Sequence, residues 1–304
     1  MISPGDGINF CSMIYFGVAG WSYPDWEGIV YPTHKGKFDG LFYLANFFDT
    51  IELNNTFYRI PESKMVESWV KRVQHNRNFR FTAKLWQGFT HEKEQMAEDA
   101  KKYIDAMRPM QAADRLGAVL IQYPISFRYT PENQERLTKL VDQFSLFPLV
   151  VEFRHRSWIN QQAIDWLEER EIGFCNVDGP MFREMLKPSS YVTGETGYVR
   201  FHGRNYQNWF AKEATRDERY DYLYAEEELD QWIPRIKEMG KKAKDVYVIG
   251  NNHFRGQAPA NILELKSKTE KGPVDVPDSM LEAFPKLKNV SKPKKTQAKQ
   301  GKLF

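Results

Sequence analysis

Eight short apolar runs punctuate the chain, spaced widely enough for a helix to lie between most of them. They are IYFGVAG (14–20), TIELN (50–54), FRFTAK (79–84), GAVLIQY (117–123), LVVEFR (149–154), IGFCNVD (172–178), YVRFHG (198–203) and VYVIGN (246–251). Between them, apolar residues recur every three or four positions in FDGLFYLANFF (38–48), ESKMVESWVKRV (62–73), PENQERLTKLVDQF (131–144) and QQAIDWLEER (161–170), the spacing of a helix with one buried face. Pro131 opens one such segment, where its missing N–H costs nothing, and Gly240 follows the pattern 227–239 as a stop. Eight strands, each followed by helical material, predict an α/β fold of TIM type. This is a closed (β/α)8 barrel in a single domain over residues 14–282. An open doubly wound sheet would more often place a glycine-rich phosphate loop after its first strand, whereas GVAGWSY runs into aromatics.

Alternate residues of a strand share a face. In strand two, Ile51 and Leu53 share one face and Glu52 and Asn54 the other. Thr82 and Lys84 pair in strand three, and strand four ends on Gln122. Glu152 and Arg154 oppose Val151 and Phe153 in strand five. Asn176 pairs with Asp178 in strand six, and Arg200 with His202 in strand seven. With the apolar set toward the helices, the polar sets of six strands should converge on the barrel axis near its C-terminal end, where barrel chemistry sits.

Such a ring has two explanations. Glu52, Glu152 and Arg200 can form a buried ion network that fixes geometry and adds little stability over an apolar core. Alternatively, mixed charges in a low-dielectric mouth push pKa values apart, as acid–base chemistry requires. Glu52, Glu152, Asp178 and His202 are then the candidate catalytic groups. Asn54, Lys84, Gln122, Arg154, Arg204, Asn251 and Asn252 are candidates to bind substrate, with the arginine fork suited to phosphate or carboxylate. Glu52, Glu152, Asp178 and His202 also offer a weak divalent-metal set, without HExxH or HxH spacing. No GxSxG elbow occurs, and Cys175 is expected on the helix-facing side of its strand.

The loops after the strands are rich in rings. Trp21, Tyr23, Phe57, Tyr58, Trp86 and Trp158 are candidates for an aromatic rim that stacks on planar ligands, sugars or bases. Interleaved arginines (59, 128, 154, 156, 204 and 255) suit a phosphate backbone.

Charge tempers the nucleic-acid expectation. The formal charge is +3, but seven lysines and no acid lie between Ala283 and Phe304, and without them residues 1–282 carry −4. A broad duplex-binding face is not indicated. Two cysteines, Cys11 and Cys175, form no disulfide framework and point to a reducing, cytoplasmic compartment. No apolar run approaches the roughly 20 residues of a membrane helix. The first residues, up to Met13, lack a signal-peptide pattern and read as an N-terminal extension.

GWSYPDWEGIVYP, IELNNTFYRIP, FRFTAKLW, LIQYPISF, VVEFRHRSW, YVRFHGR, RYDYLYAEEEL and NNHFRGQAPANILEL, in that order over about residues 14–267, resemble the YecE-like proteins, the domain of unknown function 72 family. The resemblance implies a TIM-barrel-like fold and no assigned activity. Its motif positions here are Gly20, Trp21, Glu52, Asn54, Lys84, Gln122, Glu152, Arg154, His202, Asn251 and Asn252.

Residues 283–304 are expected to form a disordered, lysine-rich tail. It ends QGKLF, and Gln300, Leu303 and Phe304 resemble the short terminal peptides that dock on the bacterial sliding clamp. Three functions compete. The first is a nucleic-acid-associated phosphodiester or repair-type enzyme, a hydrolase using Glu52 or Glu152 with Asp178. The second is a sugar or sugar-phosphate enzyme with paired carboxylates. The third is a non-catalytic ligand-binding or scaffold barrel.

Overall fold

The computed structural model describes residues 12–92, 97–211 and 213–293. Eight strands close into one barrel in sequence order. They are β1 (Met13–Ala19), β2 (Thr50–Leu53), β3 (Arg80–Lys84), β4 (Leu116–Gln122), β5 (Leu149–Glu152), β6 (Gly173–Asp178), β7 (Thr196–Phe201) and β8 (Asp245–Gly250). Every neighbouring pair is parallel, and β1 closes on β8 from Met13 opposite Asp245 to Val18 opposite Gly250. Helices Ser63–Arg72, Ala97–Ala112, Pro131–Gln143, Gln161–Glu169, Trp232–Lys242 and Gln257–Glu270 lie among the connections. Thr130 caps the third of these by accepting from the Asn133 N–H, ahead of its opening proline. No helix among the described residues is long and apolar enough to cross a membrane.

The period-two pattern explains the two cores. Ile51, Leu53, Phe81, Ala83, Val119, Ile121, Val151, Phe153, Val199 and Phe201 point outward and pack with the helices. Inside, Tyr15, Ala118, Leu120, Val150, Cys175, Val177, Tyr198, Tyr247 and Ile249 form a separate cluster. Tyr15 and Tyr247 stack there with ring centroids 4.9 Å apart. These apolar layers occupy the axis and restrict polar groups to the C-terminal mouth.

Strand six departs from expectation. Cys175 and Val177 face the axis, alongside Tyr198 and Arg200 of β7, while Asn176 and Asp178 face outward. The cause lies in the next connection: among the described residues no helix lies between Asp178 and Thr196. An irregular segment covers this face, and its backbone needs polar partners that a helix would supply to itself. Asn176 provides them, accepting from Ser189 Oγ and Tyr191 N at 2.8 Å each and donating to the Tyr191 carbonyl at 2.9 Å.

The packed chain also continues past residue 282. A 3-10 turn, Pro285–Asn289, buries Leu287, and the Val274 N–H donates to the Val290 carbonyl at 2.8 Å. Residues 283–293 are therefore part of the fold, contrary to the expected tail. Gln300, Leu303 and Phe304, with the first 11 residues, lie outside the described residues.

Candidate functional site

At the strand ends Arg200 stands between two carboxylates. It donates to Glu52 Oε1 at 2.7 Å and Glu152 Oε2 at 2.5 Å, and all three side chains are buried. The guanidinium also donates to Gln122 Oε1 at 3.2 Å. Tyr198 donates to Glu52 Oε2 at 2.9 Å, and its hydroxyl meets Thr82 Oγ1 at 2.8 Å. Burial alone would raise the Glu152 carboxyl, but Arg200 and Arg154 hold it well below the usual carboxylate range. Burial likewise opposes the charge on Arg200, and the two carboxylates reverse that and raise it well above its ordinary value. The two Nη groups of Arg200 and the carboxylates are committed to one another, while the buried Arg200 Nε has no hydrogen-bond partner. Glu52 in particular has a hydrogen bond to each oxygen and no solvent exposure, the arrangement of a brace for Arg200.

The next layer faces the mouth. Arg154 Nε donates to Glu152 Oε1 at 2.7 Å, leaving the rest of its guanidinium directed away from that carboxylate, with its side chain 15% exposed. Its Cζ lies 5.9 Å from the Trp209 ring centroid. His202 Nδ1 receives the Asn251 amide N–H at 3.0 Å, which assigns the ring proton to Nε2, 3.3 Å from Glu152 Oε1. That contact is close enough for electrostatics but is not an aligned hydrogen bond. Burial, then the Arg154 charge, pulls His202 down to about 3, so the ring is neutral at physiological pH.

Lys84 ends β3 with its ammonium 5.3 Å from the Phe57 ring centroid. Its carbonyl is fixed by Thr56 Oγ1 at 2.7 Å and Tyr103 OH at 3.1 Å. Burial, then Arg200, lowers it to about 7 against the opposing pull of Glu52 and Glu152. His91 is lowered too, by burial and then by Arg154 and Lys84. The deeper acids are consumed by Arg200, so the cation of this layer is the Arg154 guanidinium, next to a lysine held near 7.

The rim is thinner than expected. Tyr58 is exposed and Phe57 partly so, with rings edge to face at 5.4 Å. Tyr23 folds down instead, donating to the Ala19 carbonyl and stacking 4.6 Å from His253. Gly20 permits this fold: its φ of 85° suits glycine, and a Cβ there would lie 3.1 Å from the Tyr23 hydroxyl. Trp21 packs edge-on against Trp69, and Trp86 against Phe89. Trp158 is not on the rim. It is buried between Phe127 and Phe153, parallel to both, and its indole donates to the Phe127 carbonyl at 2.8 Å. A cavity of about 240 Å³ opens beside the strand ends, lined by Gly20, Trp21, Ser22, Tyr23, Asn54, Asn55 and Tyr58. The carboxamide oxygens of Asn54 and Asn55 are buried with no hydrogen-bond donor. A larger cavity of about 410 Å³ lies on the flank beside Leu137 and Trp166, away from these groups.

Three candidates lie elsewhere. Asp178 accepts from Trp232 Nε1 at 2.7 Å, Tyr224 OH at 2.8 Å and Arg204 NH2 at 2.6 Å, outside the barrel wall. Arg204 is held there between Asp178 and Glu228. Asn252 donates to the Tyr222 carbonyl and to Asn261 Oδ1, tying the end of β8 to the connection after β7 and to the helix Gln257–Glu270. The hydrogen bonds of all three go to the outer wall and its loops. The suggested metal set does not assemble either, since Asp178 faces outward and Arg200 separates Glu52 from Glu152. Among the described residues no group of three or more His, Cys, Asp or Glu side chains is placed to hold a metal ion.

Tyr198, Asn55 and His91 belong to the site but were not singled out by the sequence. Tyr198 shares the parity of Arg200 and His202 and was accessible to that argument. His91 lies on the helical turn Gln87–His91 beyond β3, where strand parity says nothing.

A family model described as "Protein of unknown function DUF72" matches residues 15–284. The chain is 31% identical over 264 residues to the UPF0759 protein YunF of Bacillus subtilis, covering 82% of this chain and 92% of that one. A DUF72 family protein from Thermotoga maritima superposes with a TM-score of 0.75 at 35% identity, covering 85% of this chain and 99% of that one. One from Enterococcus faecalis gives 0.76 at 27% identity, covering 88% and 98%.

Proposed function

The chain belongs to the DUF72 family of proteins of unknown function, and from that premise we propose that its strand ends form an enzyme site for a small phosphorylated ligand of the sugar-phosphate class. The observation that carries this reading is Arg154. Glu152 ties its Nε, which fixes the planar fork close enough to Lys84 for the two charges to interact. A pre-positioned guanidinium beside a lysine that is partly protonated near pH 7 suits a phosphate group. Asn54 and Asn55 line a cavity flanked by Trp21 and Tyr58, and their carboxamide oxygens, buried without a donor, suit hydroxyl groups of the organic part once turned toward it. Lys84, at about 7, is the group best poised to exchange a proton near neutral pH.

Paired carboxylates flanking a glycosidic bond fit poorly, because Glu52 and Glu152 hold the same guanidinium and leave no room between them for a sugar. A phosphodiester of single-stranded nucleic acid is the second reading. The half-exposed rings of Tyr206 and Phe210, clustered on Phe182 near the β7 end, favour it as a stacking surface.

Isothermal titration with ribose 5-phosphate, ribose and a short oligothymidylate tests these readings. Ribose 5-phosphate should bind at least tenfold more tightly than ribose, and Arg154→Ala should erase the difference. Equal affinity for the sugar and its phosphate would refute the phosphate site, and tighter binding of the oligonucleotide would favour the second reading.

A further inference from the structure

We infer that Lys84 is a nucleophilic lysine that forms an imine with a carbonyl group of the bound ligand. The proposal rests on the phosphate-site reading for the way the ligand is held, but the lysine's reactivity stands on its own surroundings.

An imine-forming lysine must be uncharged for part of the time, immobile at its base, unpaired with a carboxylate and open to approach. Lys84 is held, left without a carboxylate partner and partly exposed by its position. Its backbone is pinned through the carbonyl by Thr56 and Tyr103, and through the β3 ladder to Leu120. Among the described residues no carboxylate oxygen lies within 4.0 Å of its Nζ, because Glu52 and Glu152 are drawn to Arg200 and Arg154. The Phe57 ring lies against the ammonium, and the residue is neither fully buried nor fully exposed. The charged groups around it are Arg200, Glu52, Glu152 and Arg154, with His91 beyond the strand end. Burial and the two guanidiniums disfavour the ammonium, and only the spent carboxylates favour it.

The consequence is selectivity. At pH 7.5 a lysine near 7 is mostly free amine, whereas a surface lysine near 10.4 is free amine in only about one molecule in a thousand. The reaction is balanced without any other reagent. The Nζ lone pair attacks the carbonyl carbon, and the carbonyl oxygen takes a proton to give a carbinolamine. The carbinolamine loses its hydroxyl as water, leaving a C=N bond. Net, one amine and one carbonyl give one imine and one water. Arg154 would hold the ligand's phosphate while the carbonyl meets Lys84.

The experiment is reductive trapping. Full-length protein is incubated at pH 7.5 with glyceraldehyde 3-phosphate or the neutral aldehyde glycolaldehyde, then with sodium cyanoborohydride, which reduces the imine to a stable secondary amine. Intact mass and peptide mapping locate the adduct. One dominant adduct on Lys84 is expected, with labelling half-maximal near pH 7, and Lys84→Arg should reduce it at least tenfold while keeping the native circular dichroism spectrum. Glycolaldehyde labelling of Lys84 that survives Arg154→Ala would support the imine even with the phosphate reading lost. Phosphate binding without Lys84 labelling, or labelling spread evenly over surface lysines, would overturn the proposal. If Lys84→Arg misfolds, site mapping in the wild-type protein still decides.

Discussion

The Arg200 guanidinium joins Glu52 of β2 to Glu152 of β5 across the barrel axis, with contacts of 2.7 and 2.5 Å. Removing one member of such a set leaves uncompensated buried charge, which costs about 3–5 kcal/mol. Arg200→Met should lose that much stability in urea titrations. Glu52→Gln should lose less, because its amide oxygen still accepts from Arg200 or Tyr198. Equal and small losses would mean that the clamp does not organise the mouth.

Protonation predicts a pH profile. His202 is held at about 3, far below an ordinary histidine. Below its ordinary pKa of 6.5 the unfolded chain binds a proton that the native ring refuses, so stability falls as pH drops from 6.5 toward 3. The slope should approach about 1.4 kcal/mol per pH unit. Glu152, lowered in the fold, contributes stability that is fully present above its ordinary value of 4.5 and lost as pH falls through its lower native value. His202→Gln should flatten the curve between pH 6.5 and 4.5 without removing the steeper acid loss below it. Lys84 acts with the same sign in a higher window: its folded pKa lies below the unfolded one, so stability should rise from pH 7 toward 10.5, and Lys84→Met should abolish that rise.

The outward lock around Asp178 should be structural. Asp178→Ala strands the Trp232 indole N–H and removes the main partner of Arg204. A loss of about 3–5 kcal/mol is expected, with phosphate affinity in the folded fraction unchanged within about twofold. A large selective loss of affinity at unchanged stability would return Asp178 to the site.

Two aromatic residues separate rim from core. Trp158→Ala removes a buried ring stacked on two others and should cost about 3–5 kcal/mol by denaturant titration. Tyr58 is 59% exposed at the edge of the cavity. Tyr58→Ala should therefore leave stability within about 0.5 kcal/mol while weakening ribose 5-phosphate.

Parity carried the sequence reading far in some strands and failed in one. Glu52, Lys84, Gln122, Glu152 and Arg200 point to the axis because their alternates are large apolar residues that the helices bury. In β6 both faces are buried, so polarity does not reveal direction. The missing helix before β7 turned Asn176 and Asp178 outward. Nor can parity tell a spent carboxylate from a working one. That distinction lies in distances, such as those that commit Glu52 to Arg200 and Tyr198 while leaving Lys84 without a carboxylate. Trp158 followed its strand as expected, but the flat rings of Phe127 and Phe153 enclosed it, a contact between separate loops that no local pattern encodes.

The central claim is that Lys84 is poised near neutrality beside a phosphate-binding arginine. Its most direct test is an NMR titration of protein labelled with 13Cε-lysine, with the Lys84 resonance assigned by Lys84→Arg, recorded with and without inorganic phosphate. The account predicts a midpoint near 7 that rises when phosphate binds, since an added anion stabilises the ammonium, and a smaller rise in Arg154→Ala. A midpoint near the ordinary lysine value of 10.5, unmoved by phosphate, would contradict it.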